Sequence, residues 1–442
     1  MRQYKAYPAY KDSGVEWIGL VPEHWKIAQI KRISVLNPKK STLSEEKDSL
    51  CTFLPMEKLR TNAVTLDETR PIHEVYGGYS YFCDDDILIA KVTPCFENGN
   101  IAVANGLVNG IGFGSTEINV LRVNEKGHNR FLYYRLQEEQ FRTIAKSEMR
   151  GTGGLKRVPT ELFESFTIGL PDTDEQASIA ATLDRETARI DALVEKKTRF
   201  IELLKEKRQA LITHAVTKGL DHNVKMKDSG VEWIGEVPEH WKIAQIKRIS
   251  ALNPRKSTLS EEKDSLCTFL PMEKLRTNAV TLDETRPIHE VYGGYSYFSD
   301  GDILIAKVTP CFENGNIAVA NGLVNGIGFG STEINVLRVN GKGHNRFLYY
   351  RLQEEQFRTI AKSEMRGTGG LKRVPTDLFE SFTIGLPDTD EQATIAATLD
   401  RETARIDTLI GKAEQSITLL KERRAAFITA AVTGQIDLRG KQ

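Results

Sequence analysis

The chain has 442 residues, of which 40% are hydrophobic and 8% aromatic, a composition that excludes wholesale disorder and suggests two to four domains. Its sixty basic and sixty acidic residues give zero formal net charge, which argues against a protein that binds DNA alone by neutralising phosphates. No run of eighteen apolar residues occurs and residues 1–10 lack a signal-peptide core, so we expect a cytoplasmic protein without a membrane partner.

Residues 1–170 are predicted to form a globular α+β domain. Apolar runs at 87–90 and 101–103 predict two strands, which flank the turn-rich segment 91–100. Residues 118–123 predict a further strand. An amphipathic helix should then begin near His128 or Asn129, because apolar side chains recur at helical spacing: Phe131, Leu132, Tyr134 and Ile144.

Residues 171–226 are predicted to form a long helix and a linker. Asp172–Gln176 supplies capping residues and first-turn carboxylates, and Gly219 marks the end of the helix. Some forty helical residues would span about 60 Å. A helix this long with one apolar stripe needs a partner helix. The stripe follows a seven-residue ladder, which other apolar residues widen: Leu183, Ile190, Leu204 and Leu211, with Ile179, Leu193, Val194, Phe200 and Ile201 beside them.

The chain then repeats itself at a constant offset, so that Lys11 corresponds to Lys227 and Asp191 to Asp407. Between Lys11 and Asp191 eight positions differ from the second copy and no gap occurs: positions 20, 35, 39, 83, 85, 125, 161 and 178. The repeat predicts a second globular domain at 227–386, and a second long helix with a C-terminal tail at 387–442. The ladder of the second helix is Leu399, Ile406, Leu420 and Phe427.

Two equal units in one chain favour a pseudo-two-fold arrangement. The second globular domain is large enough to let the second long helix return antiparallel to the first. We therefore predict an α+β protein in which two globular domains are separated by an antiparallel coiled-coil pair of long helices. The alternative is a tandem duplication of two independent domains.

Two motif types occur once in each half. The first, Lys-Asp-Ser-Gly-Val-Glu-Trp-Ile-Gly-x-Val-Pro-Glu-His-Trp, lies at Lys11–Trp25 and Lys227–Trp241. The second joins Gly169-Leu170-Pro171 to Glu175-Gln176, Ile179, Leu183 and Asp191, and recurs as Gly385-Leu386-Pro387 with Glu391-Gln392, Ile395, Leu399 and Asp407. With these motifs the chain resembles, over nearly its whole length, the specificity subunit of type I restriction-modification systems.

The resemblance implies two target-recognition domains and a helix pair that docks methyltransferase subunits. Family members normally carry two dissimilar recognition domains, whereas these two are almost identical. Two equal readers related by a two-fold should prefer equal, inverted half-sites, so we predict an interrupted palindromic target. The half-sites should lie on the order of one helical turn apart, about 34 Å.

Base reading needs amide, hydroxyl and guanidinium groups on loops or helix ends, and three segments of each copy carry them. They are Lys91–Asn100, Gly112–Glu117 and Lys146–Arg157; the third has four cations and one acid, a net charge of +3. Glycines in the last two could let the backbone approach DNA, although plain turns or a mobile loop are alternatives. The candidate DNA-binding residues are Lys91, Thr93, Asn98, Asn100, Ser115, Thr116, Arg150, Thr152, Lys156 and Arg157, with Lys307, Thr309, Asn314, Asn316, Ser331, Thr332, Arg366, Thr368, Lys372 and Arg373 in the second copy.

Catalytic motifs are missing from the sequence. No Gly-x-x-x-x-Gly-Lys-Ser/Thr phosphate loop and no Asn/Asp-Pro-Pro-Tyr/Phe methyltransferase segment occur. The eight histidines and five cysteines show no metal-ligand spacing. The Glu-x-Lys matches at Glu45–Lys47 and Glu195–Lys197 are too short to indicate a nuclease. These absences argue against a self-contained restriction enzyme.

The sequence therefore predicts a non-catalytic subunit that reads double-stranded DNA. Its expected partners are methyltransferase subunits and restriction or translocase subunits, which should bind S-adenosylmethionine and ATP. Zero net charge predicts weak DNA binding by the isolated chain, because partners would contact the phosphates. The alternative function is that of a structural coiled-coil adaptor whose globular domains bind protein rather than DNA.

Overall fold

The computed structural model describes residues 4–43, 46, 48–152, 154–259, 262, 264–368 and 370–439. The chain divides into two compact units, Met1–Lys197 with Gln415–Gln442 and Thr198–Glu414. Each of two long helices contributes its ends to different units. The domain boundaries predicted above stay a prediction. In the described part of the chain, no helix is both long enough and apolar enough to cross a membrane.

The first unit is built from short strands and helices in mixed order. Its strands are β1 (Tyr10–Asp12), β2 (Leu20–Pro22), β3 (Lys26–Gln29), β4 (Ser34–Leu36), β5 (Leu50–Leu54), β6 (Leu59–Arg60), β7 (Ala63–Val64), β8 (Thr69–Pro71), β9 (Ser80–Cys83), β10 (Ile87–Ala90), β11 (Ile101–Val103), β12 (Ile111–Gly114), β13 (Ile118–Val123), β14 (Arg150–Thr152), β15 (Leu155–Arg157) and β16 (Thr167–Leu170). Its helices are α1 (Ile72–Val75), α2 (Asn129–Arg135), α3 (Glu139–Ser147), α4 (Leu162–Ser165) and the first part of α5 (Thr173–Lys218), together with the end of the second long helix.

Two four-stranded sheets organise this unit. One has the order β11-β10-β13-β4 with antiparallel neighbours, and the other has the order β8-β5-β12-β9 with β5 and β12 parallel. Every residue of β10 is buried, as expected of a central strand covered on both faces. Because side chains alternate along a strand, Leu88 enters one core with Phe82 and Val120, while Ile87 and Ile89 enter another with helical side chains.

The second unit repeats these elements except for the hairpin β14–β15. Its strands are β17 (Met226–Asp228), β18 (Glu236–Pro238), β19 (Lys242–Gln245), β20 (Ser250–Leu252), β21 (Leu266–Leu270), β22 (Leu275–Arg276), β23 (Ala279–Val280), β24 (Thr285–Pro287), β25 (Ser296–Ser299), β26 (Ile303–Ala306), β27 (Ile317–Val319), β28 (Ile327–Gly330), β29 (Ile334–Val339) and β30 (Thr383–Leu386). Its helices are the end of α5, α6 (Ile288–Val291), α7 (Asn345–Arg351), α8 (Glu355–Ser363), α9 (Leu378–Ser381) and the first part of α10 (Thr389–Val432). The mixture of sheet and helix confirms the predicted α+β class.

Within each unit, segments of α5 and α10 pack antiparallel. In the first unit Ser178 Oγ lies 3.4 Å from the carbonyl oxygen of Leu438, which follows the end of α10. Asp191, further along α5, pairs with Arg424 on α10, which comes earlier in the chain than Leu438. In the second unit Arg208 Nε lies 3.3 Å from Asp407 Oδ1. The ladder residues Leu183, Ile190, Leu204, Leu399, Ile406 and Phe427 are buried, and Leu211 and Leu420 are half-buried.

Two residues assigned to the apolar stripe lie outside it. Leu193 is 41% exposed and Phe200 is 45% exposed, so the buried stripe is narrower there than the sequence predicted. The amphipathic helix expected after His128 is also different, because it is split into α2 and α3. The side chain of Glu138 accepts hydrogen bonds from the backbone N–H groups of Gln140 and Phe141, and this N-cap begins a new helix.

Candidate nucleic-acid interface

The predicted segment Lys91–Asn100 forms a loop between β10 and β11. Arg142, on α3, holds this loop: its Nη2 donates hydrogen bonds to the carbonyl oxygens of Phe96 (3.1 Å) and Glu97 (2.8 Å). Asn98 is exposed, whereas Asn100 is only 6% exposed. The loop therefore presents Asn98 to solvent and turns the Asn100 side chain into the protein.

The predicted segment Lys146–Arg157 ends in an exposed β-hairpin made by β14 and β15. Arg150 pairs with Arg157, Gly151 with Lys156 and Thr152 with Leu155. All of these residues are exposed. Gly151 has φ of 149°, and a Cβ there would lie 2.2 Å from the carbonyl oxygen of Leu155, so the hairpin requires glycine. Gly153, at its tip, lies outside the described residues.

Thr93 joins the loop to the hairpin. Its Oγ1 donates to the carbonyl oxygen of Gly154 and accepts a hydrogen bond from the backbone N–H of Lys156, both at 2.9 Å. Its own backbone N–H donates to the carbonyl oxygen of Lys156 at 2.9 Å. The Thr93 hydroxyl, predicted to contact DNA, is thus engaged in fixing the position of the hairpin.

Glu117 joins the remaining predicted segment to the other two. Its carbonyl oxygen accepts from the backbone N–H of Lys91 at 3.0 Å, and its carboxylate binds Nε (3.0 Å) and Nη2 (2.6 Å) of Arg157. The hydrogen bonds from Arg157 hold the pKa of the Glu117 carboxyl below its usual range. Thr116 is exposed beside this pair, and Ser115 is half-buried. Residues 91–100, 114–117, 150–152 and 154–157 together form one surface, the three-segment face.

The glycines of the predicted segment Gly112–Glu117 serve packing. Gly112 and Gly114 lie in the buried strand β12 rather than in an exposed loop. A Cβ on Gly112 would lie 2.2 Å from the Phe82 ring, and one on Gly114 would lie 2.8 Å from the carbonyl oxygen of Leu54. The proposed close approach of this backbone to DNA is therefore wrong for these two glycines, because both face the core.

The second copy forms the same surface from residues 307–316, 330–333, 366–368 and 370–373. Thr309 Oγ1 donates to the carbonyl oxygen of Gly370 and accepts from the backbone N–H of Lys372, both at 2.9 Å. Arg373 binds Glu333, again through Nε and Nη2. Arg366 and Arg373 form an isolated β-bridge, whereas the equivalent residues of the first copy belong to the hairpin β14–β15. Asn314, Thr332, Arg366, Thr368 and Lys372 are exposed, Lys307, Thr309 and Ser331 are half-buried, and Asn316 is 6% exposed; Gly369 lies outside the described residues.

The charge of the three-segment face is unevenly neutralised. Arg157 is paired with Glu117, whereas Arg150 is 81% exposed and approaches Glu148 only to 3.9 Å. Lys156 is exposed at the hairpin, and Lys91 is half-buried at the foot of the loop. The cations most available to an anionic partner are therefore Arg150 and Lys156.

Arg130, which sequence reasoning missed, connects this domain to the long helix α5. Its Nε donates to Asp184 Oδ1 at 2.9 Å, and its Nη1 donates to Asn62 Oδ1 at 3.1 Å. Tyr134 donates from its hydroxyl to the same Asp184 oxygen at 2.7 Å. Burial, the largest influence, opposes the charge on Arg130, but its hydrogen bond and charge partners raise its pKa overall. Spacing in the sequence gives no signal that these residues meet.

Glu175, at the start of α5, is a second buried anchor. Tyr7 donates to Glu175 Oε1 at 2.7 Å, Trp25 Nε1 lies 3.2 Å from the same oxygen, and His24 Nε2 lies 2.7 Å from Oε2. Burial first, and then the hydrogen bond to Glu175, raise the pKa of Tyr7. This cluster ties the N-terminal segment and β2–β3 to the long helix, and its buried partners indicate a structural role.

The residue types that hold metals do not cluster in the described part of the chain, where no group of three or more His, Cys, Asp or Glu could bind an ion. All five cysteines are free thiols, with Cys51 and Cys267 buried. Glu45 and Lys47, which carry one of the short nuclease-like matches, lie outside the described residues.

A family model described as the type I restriction modification DNA specificity domain matches residues 22–203 and 238–419. The chain belongs to this family. The two matched ranges begin at equivalent positions of the repeat, so each copy carries one specificity domain. Each range also includes the three-segment face and the first part of a long helix.

Individual relatives agree with the family. The specificity subunits of the Escherichia coli type I restriction enzymes EcoEI and EcoAI are 31% identical over 199 residues and 35% identical over 188 residues. These alignments cover 45% and 42% of this chain, but only 33% and 31% of the relatives, so the chain matches about a third of their length. The MjaVIII specificity subunit of Methanocaldococcus jannaschii is 24% identical over 95% of this chain and 94% of its own.

Solved structures share the fold of this specificity-domain protein. A chain solved in work on complex assembly and conformational transition of the type I R-M system has a TM-score of 0.71 at 17% identity, covering 94% of this chain and 99% of that chain. The HsdS subunit from Thermoanaerobacter tengcongensis has a TM-score of 0.55 at 17% identity, covering 94% and 98%.

Proposed function

We propose that this chain is the DNA-sequence specificity subunit of a type I restriction-modification complex. The observation that carries the proposal is the three-segment face. Three stretches that are well separated in sequence meet on one surface, and the same surface recurs in the second copy. Family membership does not favour the alternative, an adaptor that binds only protein.

The face carries groups for both kinds of DNA contact. Exposed Arg150 and Lys156 on the hairpin suit phosphates, while the exposed Asn98 amide and Thr116 hydroxyl suit base edges. Neutral overall charge then has an explanation, since partner subunits would supply much of the phosphate contact. We expect weak DNA binding by the isolated chain and tight binding by the assembled complex.

Two recognition domains with the same DNA-contacting residues should bind identical half-sites. Residues 91–100 and 150–157 match 307–316 and 366–373 at every position, so both domains should recognise the same bases. With the two-fold relation that the repeat predicts, these half-sites form an interrupted palindrome. A target with two different halves would contradict this part of the proposal.

We propose that exposed apolar side chains on the long-helix segments of each unit contact the methyltransferase subunits. Leu193, Phe200 and Leu203 on α5 are 41%, 45% and 46% exposed, and Leu409 and Leu419 on α10 are 39% and 57% exposed. Leu409 and Leu419 are the repeat counterparts of Leu193 and Leu203. Burying these large apolar side chains against a protein partner would remove them from water.

We assign the catalytic steps, methylation and ATP-dependent restriction, to other subunits. The chain would contribute recognition without catalysis, while methyltransferase subunits bind S-adenosylmethionine and restriction or translocase subunits bind ATP. Such a complex acts on chromosomal or invading DNA, so we propose a cytoplasmic location.

The test is to express the chain with type I methyltransferase subunits that it binds, in cells that lack other DNA methylation, and to map the methylated bases. One interrupted palindromic motif is the expected result. A chain that binds the methyltransferase but directs methylation to no motif would overturn the proposal. A chain carrying R150A, K156A, R366A and K372A should lose most methylation while still binding the methyltransferase; unchanged methylation would favour a protein-binding adaptor.

A further inference from the structure

A segment that the sequence did not single out lies against the three-segment face. Residues 55–64 form a short 3-10 helix (Met56–Lys58) and the hairpin β6–β7. Thr61 Oγ1 donates to the carbonyl oxygen of Gly99 at 2.8 Å, and the backbone N–H of Asn62 donates to the carbonyl oxygen of Ile101 at 2.8 Å. The loop 91–100 is thus held by the hairpin 150–157 through Thr93 and by the segment 55–64 through Thr61.

The second copy has the same arrangement, which leaves a groove beside the loop. Thr277 Oγ1 donates to the carbonyl oxygen of Gly315 at 2.8 Å, and Asn278 donates from its backbone to Ile317 at 2.8 Å. The open groove has a volume of about 770 Å³. Its polar lining is formed by Glu273, Arg276, Thr277, Asn314 and Asn316.

The guanidinium in this groove is available to a ligand. Arg60 and Arg276 are exposed, and each donates from Nη1 only to the carbonyl oxygen of the preceding leucine, at 3.2 and 3.1 Å. Within the described residues, neither has a carboxylate at ion-pair distance. Lys58, two residues away, differs in this respect because Asp67 binds its ammonium group at 2.6 Å.

A glutamate beside Arg276 indicates whether this arginine contacts a phosphate or a base edge. Glu273 lines the same groove as Arg276, and the equivalent of Glu273 in the first copy is Glu57. A carboxylate repels a phosphate, but it accepts a hydrogen bond from cytosine N4, while an arginine donates two to guanine O6 and N7. The pair therefore suits a G·C base pair better than the DNA backbone.

We infer that Arg60 and Arg276 are specificity-determining residues that read a guanine in each half-site, with Glu57 and Glu273 accepting from the paired cytosine. This inference rests on the proposed function and adds the segment 55–64 to the surface that reads DNA. The recognised position is one G·C pair next to the bases that face Asn98 and Asn314.

The experiment compares R60Q, R276Q and the double variant in the full chain, each co-expressed with the methyltransferase subunits. The exposed cations Lys31 and Lys247 supply the control variants K31Q and K247Q. Methylated motifs are mapped by sequencing, and binding of the complex to target DNA is measured at several salt concentrations. Each single variant changes one recognition domain, so the unchanged domain of the same chain serves as an internal control.

The double variant should lose a guanine preference of about ten- to a hundredfold at one position of each half-site, with the other positions unchanged. Each single variant should lose it in one half-site only. An unchanged motif would overturn the inference, as would uniformly weaker binding with a shallower salt dependence, which indicates phosphate contacts. If the wild-type complex produced no motif, the proposed function itself would fail, and the inference with it.

Discussion

Arg424 donates a hydrogen bond from Nε to Oδ1 of Asp191 at 2.9 Å and so connects the later part of one long helix to the earlier part of the other within the first unit. Its repeat counterpart, Arg208, lies 3.3 Å from Asp407 in the second unit. The two pairs occupy equivalent positions of the repeat, because Asp407 is the counterpart of Asp191 and Arg424 that of Arg208. The duplicated sequence therefore specifies the same antiparallel helix contact in both units.

Removing this contact should destabilise the helix pair modestly. Arg424 is 17% exposed and Asp191 is 47% exposed, so D191A should cost about 0.5 kcal/mol, as for other partly exposed ion pairs. R424A should cost about 1 kcal/mol, because it also loses the packing of the aliphatic stem. Thermal unfolding measures both. R199A is the matched control, since Arg199 and Glu202 are 59% and 55% exposed; an equal effect of R199A would contradict the assignment.

Gly112 should tolerate no side chain. A Cβ there would fall 2.2 Å from the Phe82 ring in the centre of the sheet core, so G112A should cost about 1–3 kcal/mol through overpacking. G77A is the control, because nothing lies within 4 Å of a Cβ at Gly77. The midpoint of thermal unfolding should fall for G112A and remain unchanged for G77A. A G112A protein as stable as the wild type would contradict this packing role.

The exposed cations of the hairpin should govern the salt dependence of DNA binding. R150Q combined with R366Q removes one phosphate contact from each copy, so the slope of log K against log salt should fall by about 2. The double variant K156Q/K372Q should lower the slope by the same amount as R150Q/R366Q. The measurement is a salt titration of the complex with the methyltransferase, with K31Q and K247Q as the matched loss of two cations elsewhere. If the hairpin variants and the control K31Q/K247Q show the same salt slope, the hairpin does not contact the DNA phosphates.

Arg142 should act as a positioning residue of the loop 91–100. R142M removes the donors to the carbonyl oxygens of Phe96 and Glu97, and lost bonds of this charged kind cost about 1.5–3 kcal/mol. Because the palindromic target needs both recognition domains, we expect a ten- to hundredfold loss of methylation at the whole motif. T143M, an exposed change on the same helix, is the control. Equal losses in both variants would indicate damage to α3 rather than to the loop.

Acid should destabilise the protein as the pH falls below about 6.5. Burial, the largest cause, lowers the pKa of His128, His344 and His214 below the usual value of 6.5. The unfolded chain then binds more protons than the folded one below pH 6.5, so stability is present above that value and is lost as the pH falls through the folded pKa values. The fall in melting temperature between pH 7.5 and 5.5 should shrink in H128N/H344N. The exposed pair H73N/H289N is the control, and an undiminished fall in H128N/H344N would contradict the prediction.

Local patterns in the sequence were sufficient for the large features. The repeat that pairs Lys11 with Lys227, the strands at 87–90, 101–103 and 118–123 and the long helices follow from repetition and periodicity, which act over neighbouring residues. The family could be predicted for the same reason, since each of its motifs lies within a short stretch of the chain. The break between α2 and α3 was missed because an N-cap at Glu138 interrupts an otherwise unbroken apolar pattern.

The amino-acid sequence by itself determined the duplication, the class of the fold and the segments rich in groups that contact DNA. Only the tertiary structure decided that Asn98 faces solvent while Asn100 faces the core, that Gly112 is needed for Phe82, and that residues 55–64 stand beside the loop 91–100. The physical reason is that these outcomes depend on sheet register and on contacts between side chains that are far apart along the chain. Such contacts leave no periodic trace in the sequence.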